Sequence, residues 1–315
     1  MKTSSTGRLA TSLSIAALSL AGLMACARAG DHSSTPSEGH GDVSPLPNQS
    51  KESDVTQDIE KATAIIYEEQ ATPGIICSGG GLYGEWLKRM ATEKLRFIRL
   101  DHGGRCWDDG MGRTGADVNF LGELSRTMGF RAASKGESVT PEQLARFPGD
   151  GFPPFVYITG NGKVGRLSSE DDKKLREYCL RGGMLIIDAG SAEFDRSVRE
   201  SVRRIFPGWP LVDVSDDDVV YQTPYAFPNG APAFWHHGGA RLMGITREGR
   251  WLVLYHPGDM NDAWKSKGYV DVAPEMRQNA FRLGTNLVVY SHFQREAAID
   301  RRKKRPMPEE GPPEQ

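Results

Sequence analysis

Short apolar runs that end abruptly in polar residues or glycines alternate with amphipathic segments along the middle of the chain. The clearest of these runs are residues 155–159 and 184–187. Strands that are apolar on both faces and are separated by helices form a mostly parallel sheet with helices on both sides. The sequence therefore predicts an α/β fold, a three-layer sandwich around a mostly parallel central sheet.

Local signals place the other elements. Asp117 is expected to cap a helix, and Ser168 or Ser169 to start another, because short oxygen-bearing side chains accept hydrogen bonds from unpaired helical N–H groups. Cys179 is expected in the core as a small apolar residue. Further strands are predicted at 95–100 and 210–214 and as a hairpin of 241–246 with 251–255, and helices at 117–128, 168–180, 193–206 and 274–293.

The N-terminus has the features of a secretory signal peptide at residues 1–29. Basic residues precede a Ser-rich apolar stretch that is shorter than the roughly 20 residues needed to span a bilayer. Residues 23–26 resemble a bacterial lipobox, which would attach a lipid to Cys26. Cleavage before Gly30 is the other possibility, and it would release a soluble protein. Both alternatives predict export to the periplasm or cell envelope.

The remaining boundaries follow from composition. Residues 30–56 are polar and Gly- and Pro-rich, so they predict a disordered linker. Residues 57–94 have the composition of a helical extension, and residues 95–293 form the α/β domain. Residues 294–315 are charged and Pro-rich and predict a disordered tail, whose basic cluster at 301–305 is solvated or attracted to phospholipid headgroups.

The overall charge excludes one class of partner. The chain has 39 basic and 41 acidic residues, which nearly cancel. A nucleic-acid-binding domain is expected to be basic, so no nucleic acid is expected as a partner.

Polar residues follow the predicted strands. Ligands bind parallel sheets beyond the carboxyl ends of their strands, so these residues are expected to be solvent-accessible and to line one cleft. In that cleft Arg105 would contact an anion, the carboxylates would accept hydrogen bonds, and the histidines would carry protons or bind a ligand. The candidates for ligand binding are Asp101, His102, Arg105, Asp188, His256 and Asp259.

Four of these residues are also a candidate metal site. Mixed imidazole and carboxylate ligands suit zinc or a related divalent ion, which would activate water. The alternative is structural: Asp188 would cap the helix that follows it, His256 would pack beside Pro257, and Asp259 would belong to a turn that buries Trp264. The candidate metal ligands are His102, Asp188, His256 and Asp259.

Two further motifs lie near the first strand. Cys77 and Cys106 flank it and are candidates for a disulfide, which is compatible with an exported protein. Cys106 is also a candidate nucleophile, because His102 and Asp108 lie close to it in sequence. Residues 79–84 satisfy the G-x-G-x-x-G pattern of a dinucleotide-binding turn, but Pro73 and Gly74 cut short the strand that should precede it.

Several segments, taken in order, are similar to a known family. They are residues 97–104, 154–160, 175–188, 204–207 and 282–290, and together they resemble the bacterial domain of unknown function 4159 family. The resemblance implies a class I glutamine amidotransferase-like fold and a partner in the cell envelope. The chain departs from the family at Ala189, in place of a second acid, and at residues 218–221, in place of a His-Pro-x-Phe segment. These departures argue against acidic or histidine-based chemistry shared with the family. The amidotransferase nucleophile is also absent, because residues 188–190 contain no cysteine.

Together these features favour an exported, membrane-tethered domain that binds a ligand or an envelope protein without catalysis. No cofactor is expected, although a divalent metal remains open. The alternative is a metal- or carboxylate-dependent hydrolase that acts at the strand-end cleft. A dinucleotide-dependent oxidoreductase is the third possibility, and it requires the turn at residues 79–84 to follow a sheet strand.

Overall fold

The computed structural model describes residues 94–234 and 241–304. The predicted signal peptide, linker and most of the helical extension lie outside these residues. So do Cys26, Cys77, the turn at residues 79–84 and the tail beyond Lys304, and the predictions made for them stay predictions.

A seven-stranded mixed sheet forms the centre of the domain. The described strands are β1 (Lys94–Leu95), β2 (Ile98–Leu100), β3 (Arg131–Ala132), β4 (Glu137–Val139), β5 (Phe155–Ile158), β6 (Met184–Asp188), β7 (Val212–Asp213), β8 (Met243–Arg247) and β9 (Arg250–His256). The order in the sheet is β4-β2-β5-β6-β9-β8-β7, and the five strands from β4 to β9 are parallel. β8 runs antiparallel to β9, and β7 runs antiparallel to β8. β1 and β3 form a separate parallel pair.

Helices cover both faces of this sheet. They are α1 (Ala116–Met128), α2 (Pro141–Ala145), α3 (Ser169–Leu180), α4 (Ala192–Ile205), α5 (Met260–Trp264) and α6 (Pro274–Lys304), and a 3-10 turn lies at Val219–Tyr221. One core packs side chains such as Tyr157 and Ile186 against α1, α5 and α6. The other packs Val156 and Ile187 against α2, α3 and α4. The predicted α/β class with a mostly parallel sheet is confirmed.

Several local predictions are also confirmed. Ser168 caps α3 and forms a capping box with Asp171. Asp259 caps α5 by accepting a hydrogen bond from the Asp262 N–H, and the indole of Trp264 is buried. The hairpin turns at Glu248, whose φ is 52°, and at the following glycine. These signals are short-range, so the sequence contains them in full.

Two elements differ from the prediction because long-range contacts decide their boundaries. The strand expected at 95–100 divides in two, since Leu95 pairs with Ala132 while Leu100 pairs with Val139. The helix expected to end at residue 293 continues to Lys304. Ala298 and Ile299 in that extension are buried, which explains why residues 294–304 are helical and not part of a disordered tail.

The region between α1 and β5 contains elements that the sequence did not reveal. β3, β4 and α2 are two, three and five residues long. Segments this short contain no full period of a hydrophobic pattern, so periodicity cannot detect them. No helix among the described residues is long and apolar enough to cross a membrane.

The order of strands identifies where a ligand is expected. After β2 the chain adds β4 on one side of that strand, and it then adds β5 and β6 on the other side. The connections leaving β2 and β5 therefore diverge at the carboxyl ends of these two strands. Crevices at such switch points are the usual binding sites of open parallel sheets.

Candidate functional site

The residues predicted to line the cleft are mostly buried. Arg105 is exposed and Asp101 is half-buried, but His102, Asp188, His256 and Asp259 are at most 3% exposed. The prediction that all of them are solvent-accessible is therefore wrong for these four. Loops that follow the strands cover them.

His102 connects the two loops at the switch point. Its Nε2 lies 2.9 Å from the carbonyl oxygen of Thr159, which follows β5. Its Nδ1 accepts the N–H of Gly104 at 3.2 Å and that of Gly165 at 3.4 Å. An Nδ1 that accepts hydrogen bonds implies a neutral ring with its proton on Nε2. Burial lowers the pKa of His102, which favours the same state.

His256 repeats this arrangement elsewhere. Its Nδ1 accepts the N–H of Gly258 at 2.9 Å, and its Nε2 lies 3.1 Å from the carbonyl oxygen of Pro232. Its ring packs on Phe234, whereas the ring of His102 packs on Phe194. Phe234 and Phe194 belong to the cores on opposite faces of the sheet.

The two histidines therefore do not share a site, because the sheet separates their rings. Within residues 94–234 and 241–304, no three His, Cys, Asp or Glu side chains are arranged to hold a metal ion. The predicted ligand set of His102, Asp188, His256 and Asp259 is not assembled there. Both ring nitrogens of each histidine already form hydrogen bonds to nearby backbone groups, so they are not directed at a shared ion.

Asp188 and Asp259 are two buried carboxyl groups at the carboxyl ends of the parallel strands, which we call the carboxyl edge of the sheet. Asp188 ends β6 beside His256 of β9 and accepts the N–H of Asn261 at 2.8 Å, so it stabilises the start of α5 and not the helix that follows it. Burial raises the pKa of Asp188 to about 6, against the opposing effects of the Thr159 side chain, the Asn261 N–H and the nearby Tyr157 hydroxyl. Burial, and then the charges of Asp262 and Asp188, raise the pKa of Asp259 well above its usual value. The charge of Asp188 thus favours the protonation of Asp259.

One oxygen of Asp188 is incompletely satisfied. In the described part of the chain, Asp188 Oδ1 and the Tyr157 hydroxyl have no hydrogen bond of good geometry. The two groups are nevertheless close enough for the hydroxyl to lower the pKa of the carboxyl group. Buried polar atoms rarely lack a hydrogen bond, so this pair of atoms is unusual for a protein interior.

A buried ion pair that the sequence analysis missed supports this edge. Arg99 on β2 and Asp117 on α1 are fully buried, and their side chains form a bidentate pair with contacts of 2.5 to 3.0 Å. Arg99 also donates to Asn261 Oδ1 at 2.6 Å and packs over the Tyr157 ring. The predicted cap at Asp117 is wrong, because Gly115 occupies the N-cap and Asp117 points to Arg99. The available signal was an arginine between two apolar residues in a predicted strand that also contains Arg96.

The loop between β2 and α1 is closely attached over this ion pair. Arg99 donates to the carbonyl oxygen of Trp107 at 3.3 Å, and Lys265 pairs with Asp109 at 2.7 Å. Gly110 has φ of 117°, and a Cβ there would overlap Arg99 and lie 2.7 Å from Asn261 Oδ1. Only glycine allows so close an approach, so the loop seals the edge.

The exposed residues of the edge lie on the loops after β2 and β5. We refer to Arg105, Asn161, Lys163 and Arg166 as the strand-end rim. The N–H of Asn161 donates to the carbonyl oxygen of Arg105 at 3.3 Å, and Gly162 lies against the Arg105 side chain. The rim is therefore formed by two loops that are held together by backbone contacts and by His102.

The cysteines differ in what the structure shows. Cys179 is fully buried, as predicted, and burial raises the pKa of its thiol to about 12. Cys106 is buried and has a left-handed φ of 58°. Its pairing with Cys77 stays a prediction.

The sequence of the folded body matches a known family. Residues 96–291, well over half of the chain, match the family described as domain of unknown function DUF4159. The chain belongs to the DUF4159 family. A comparison with curated proteins gave no match. The DUF4159 domain therefore extends from the strand before the switch point to the middle of α6.

Proposed function

We propose that this DUF4159 protein is an exported, membrane-tethered domain that binds a ligand or an envelope protein partner at the strand-end rim and has no catalytic activity. The proposal includes the glutamine amidotransferase-like variant of the α/β fold. It also includes the signal peptide at residues 1–29 and lipid attachment at Cys26.

One observation carries the proposal. The imidazole rings at the strand ends use both nitrogens for bonds to backbone, as His102 does to Thr159 and to two glycine N–H groups. Asp188 and Asp259 likewise accept backbone N–H groups of α5. Proton transfer requires a group within hydrogen-bond reach of a substrate, and these side chains are directed inward. The rim above them exposes Arg105, Lys163 and Arg166, which suit binding.

Site-specific crosslinking tests the proposal. A photo-crosslinking benzoylphenylalanine replaces Asn161, which is exposed on the rim, in cells that produce the full chain. The matched control carries the same residue in place of Glu200, which is exposed on α4. We expect one discrete adduct from position 161, reduced by Arg105→Ala or Lys163→Ala, and none from position 200.

Equal adducts from both positions, or an adduct that Arg105→Ala leaves unchanged, would show that the rim is not the binding surface. The tether has a separate test. Cys26→Ala should move the protein from the detergent phase to the soluble periplasmic fraction, and a chain retained in the cytoplasm with an intact N-terminus would contradict export.

A second candidate function is a carboxylate-dependent hydrolase. Its support is the pair of buried carboxyl groups, Asp188 and Asp259, whose raised pKa values are those of a general acid. If it is correct, the purified chain should hydrolyse some chromogenic esters, amides or phosphoesters, and Asp188→Asn should abolish turnover without lowering the melting temperature. Turnover that survives Asp188→Asn would exclude this carboxylate mechanism.

A further inference from the structure

Three arginines surround one buried phenylalanine at the end of the sheet opposite the strand-end rim. The guanidinium carbons of Arg181, Arg295 and Arg302 lie 4.9, 5.1 and 5.8 Å from the ring centroid of Phe152. Phe152 precedes β5, Arg181 follows α3, and the other two belong to α6. Three like charges are therefore held in contact with the same ring.

Among residues 94–234 and 241–304, few acidic groups neutralise this cluster. Arg302 pairs with Asp150 at 2.5 Å, and Arg295 pairs with Glu296 at 2.7 Å. The other bonds of the cluster go to backbone carbonyls, such as that from Arg181 to Gly149 and that from Arg302 to Arg181. Carbonyl oxygens orient guanidinium groups but do not cancel their charge. The cluster therefore keeps a positive potential.

The last turn of α6 adds more positive charge beside this cluster. Arg301, Lys303 and Lys304 are exposed, and none of them has an ion pair within the described residues. The nearby positive charge of Arg301 adds to the effect of burial in lowering the pKa of Arg250. We call Arg181 together with residues 301–304 the basic end.

The folded body holds the basic end in a fixed position. Ala298 and Ile299, in the preceding turn, are buried, so α6 does not separate from the sheet near its end. Arg302 connects this helix to the loop before β5 through Asp150. A basic surface that is already ordered loses less conformational entropy on binding than a flexible tail does.

The chain also enters the described body at this end. Lys94 is exposed and precedes β2, so it lies toward the N-terminal ends of the parallel strands, where α6 finishes. The described part of the chain therefore begins at the same end of the sheet as the basic end.

We propose that the basic end binds the phosphate groups of anionic phospholipids and holds the domain against a membrane surface. Clusters of Lys and Arg bind anionic bilayers through the negative potential of the surface, and one lipid chain alone gives only weak attachment. The basic end thus supplies a second attachment beside the predicted lipid at Cys26. This inference rests on the described residues and not on the function proposed for the rim.

Vesicle co-sedimentation tests it with the full chain carrying Cys26→Ala, so that no lipid chain contributes. The vesicles contain equal parts of phosphatidylglycerol and phosphatidylcholine, or phosphatidylcholine alone. We expect binding only to the anionic vesicles, with a decrease as salt is raised. Arg301→Gln, Lys303→Gln and Lys304→Gln together should weaken it on the order of a hundredfold, since each charge near the surface contributes about fivefold.

The matched control removes the same charge from the opposite end of the sheet. The control residues lie in the loop after β2 and in the first halves of α3 and α4, and they are exposed without an ion pair within the described residues: Arg113, Lys173 and Arg196. Their joint replacement by Gln should leave vesicle binding nearly unchanged. The triple variant at residues 301, 303 and 304 leaves Arg302 and Arg181 intact. The contacts around Phe152 therefore remain, and that variant should melt at the same temperature as the parent.

Other outcomes would overturn the proposal. If the control triple variant lost vesicle binding equally, the binding would depend on the net charge of the protein and not on the basic end. A parent chain that does not sediment with anionic vesicles would remove the lipid contact, and so would binding of inorganic phosphate at the basic end without vesicle binding. The crosslink from position 161 reports on the rim independently, so failure here leaves that proposal standing.

Discussion

Asp117→Asn should destabilise the domain strongly, because it removes the only carboxylate that is hydrogen-bonded to the buried guanidinium of Arg99 among the described residues. Both side chains of the pair are 0% exposed, and the hydrogen-bond partners that Arg99 keeps, the carbonyl oxygens of Asn261 and Trp107, are neutral. Removing one member of a buried ion pair costs about 3 to 5 kcal/mol. For a domain of this size that corresponds to a fall in melting temperature of roughly 10 °C.

The matched control lies on the same segment of chain. Arg96 and Glu137 form a bidentate pair of the same chemistry, with contacts of 2.6 and 2.8 Å, but their side chains are 43% and 37% exposed. Water and salt screen such a pair, so Glu137→Gln should cost less than about 1 kcal/mol. Urea unfolding followed by circular dichroism measures both variants.

A double-mutant cycle separates the charge from packing. In an Arg99→Met background the buried cation that pairs with Asp117 is absent. Asp117→Asn should therefore cost about 2 kcal/mol less than it does in the parent. The reasoning would be refuted if Asp117→Asn cost no more than Glu137→Gln, or if its cost were the same in both backgrounds. In either case burial at this edge would not control the energetics of the pair.

Three further outcomes are expected. Asp188→Asn should raise the free energy of unfolding by about 1 to 2 kcal/mol more at pH 8 than at pH 5. The folded pKa of Asp188 is about 6 and the unfolded value is near 3.9, so ionisation of this carboxyl group destabilises the folded state increasingly as the pH rises, and the amide removes that penalty. Equal effects at both pH values would contradict this. Gly110→Ala should cost more than about 2 kcal/mol in urea unfolding, whereas Gly112→Ala, where a Cβ meets nothing, should be nearly neutral. Cys179 should resist iodoacetamide in the native protein and react in urea, and modification of the native protein, read by peptide mass spectrometry, would show that the helix opens.

The strand-end residues show how far sequence reasoning reached into the site. Position along a strand correctly placed His102, Asp188 and His256 at the carboxyl edge, because a run of apolar residues locates the end of its own strand. It did not show that the rings of His102 and His256 lie on opposite faces. Which face a residue beyond a strand end occupies depends on the path of the loop, and the local pattern contains no information on that path.

Arg99 and Asp117 are a different case, because the sequence showed an unusual residue but not the residue that pairs with it. An arginine within an apolar strand is visible in the sequence, yet its partner lies on the next helix and Asn261 lies far along the chain. A buried charge is tolerated only where the fold supplies the counter-charge. Its partner could therefore be named only after the elements were assembled.

By itself the sequence determined the α/β class, most of the helices and strands and the cap at Ser168, because each depends on residues close together in the chain, and the order of its segments indicated membership in the family. Tertiary structure alone decided that His102 fastens two loops, that Asp188 and Asp259 are buried together, and that α6 continues to Lys304 beside Phe152. These features depend on burial and on partners distant in sequence. Burial decides whether an ionisable side chain acts as a structural group or stays available for binding, and only packing of the whole chain determines burial.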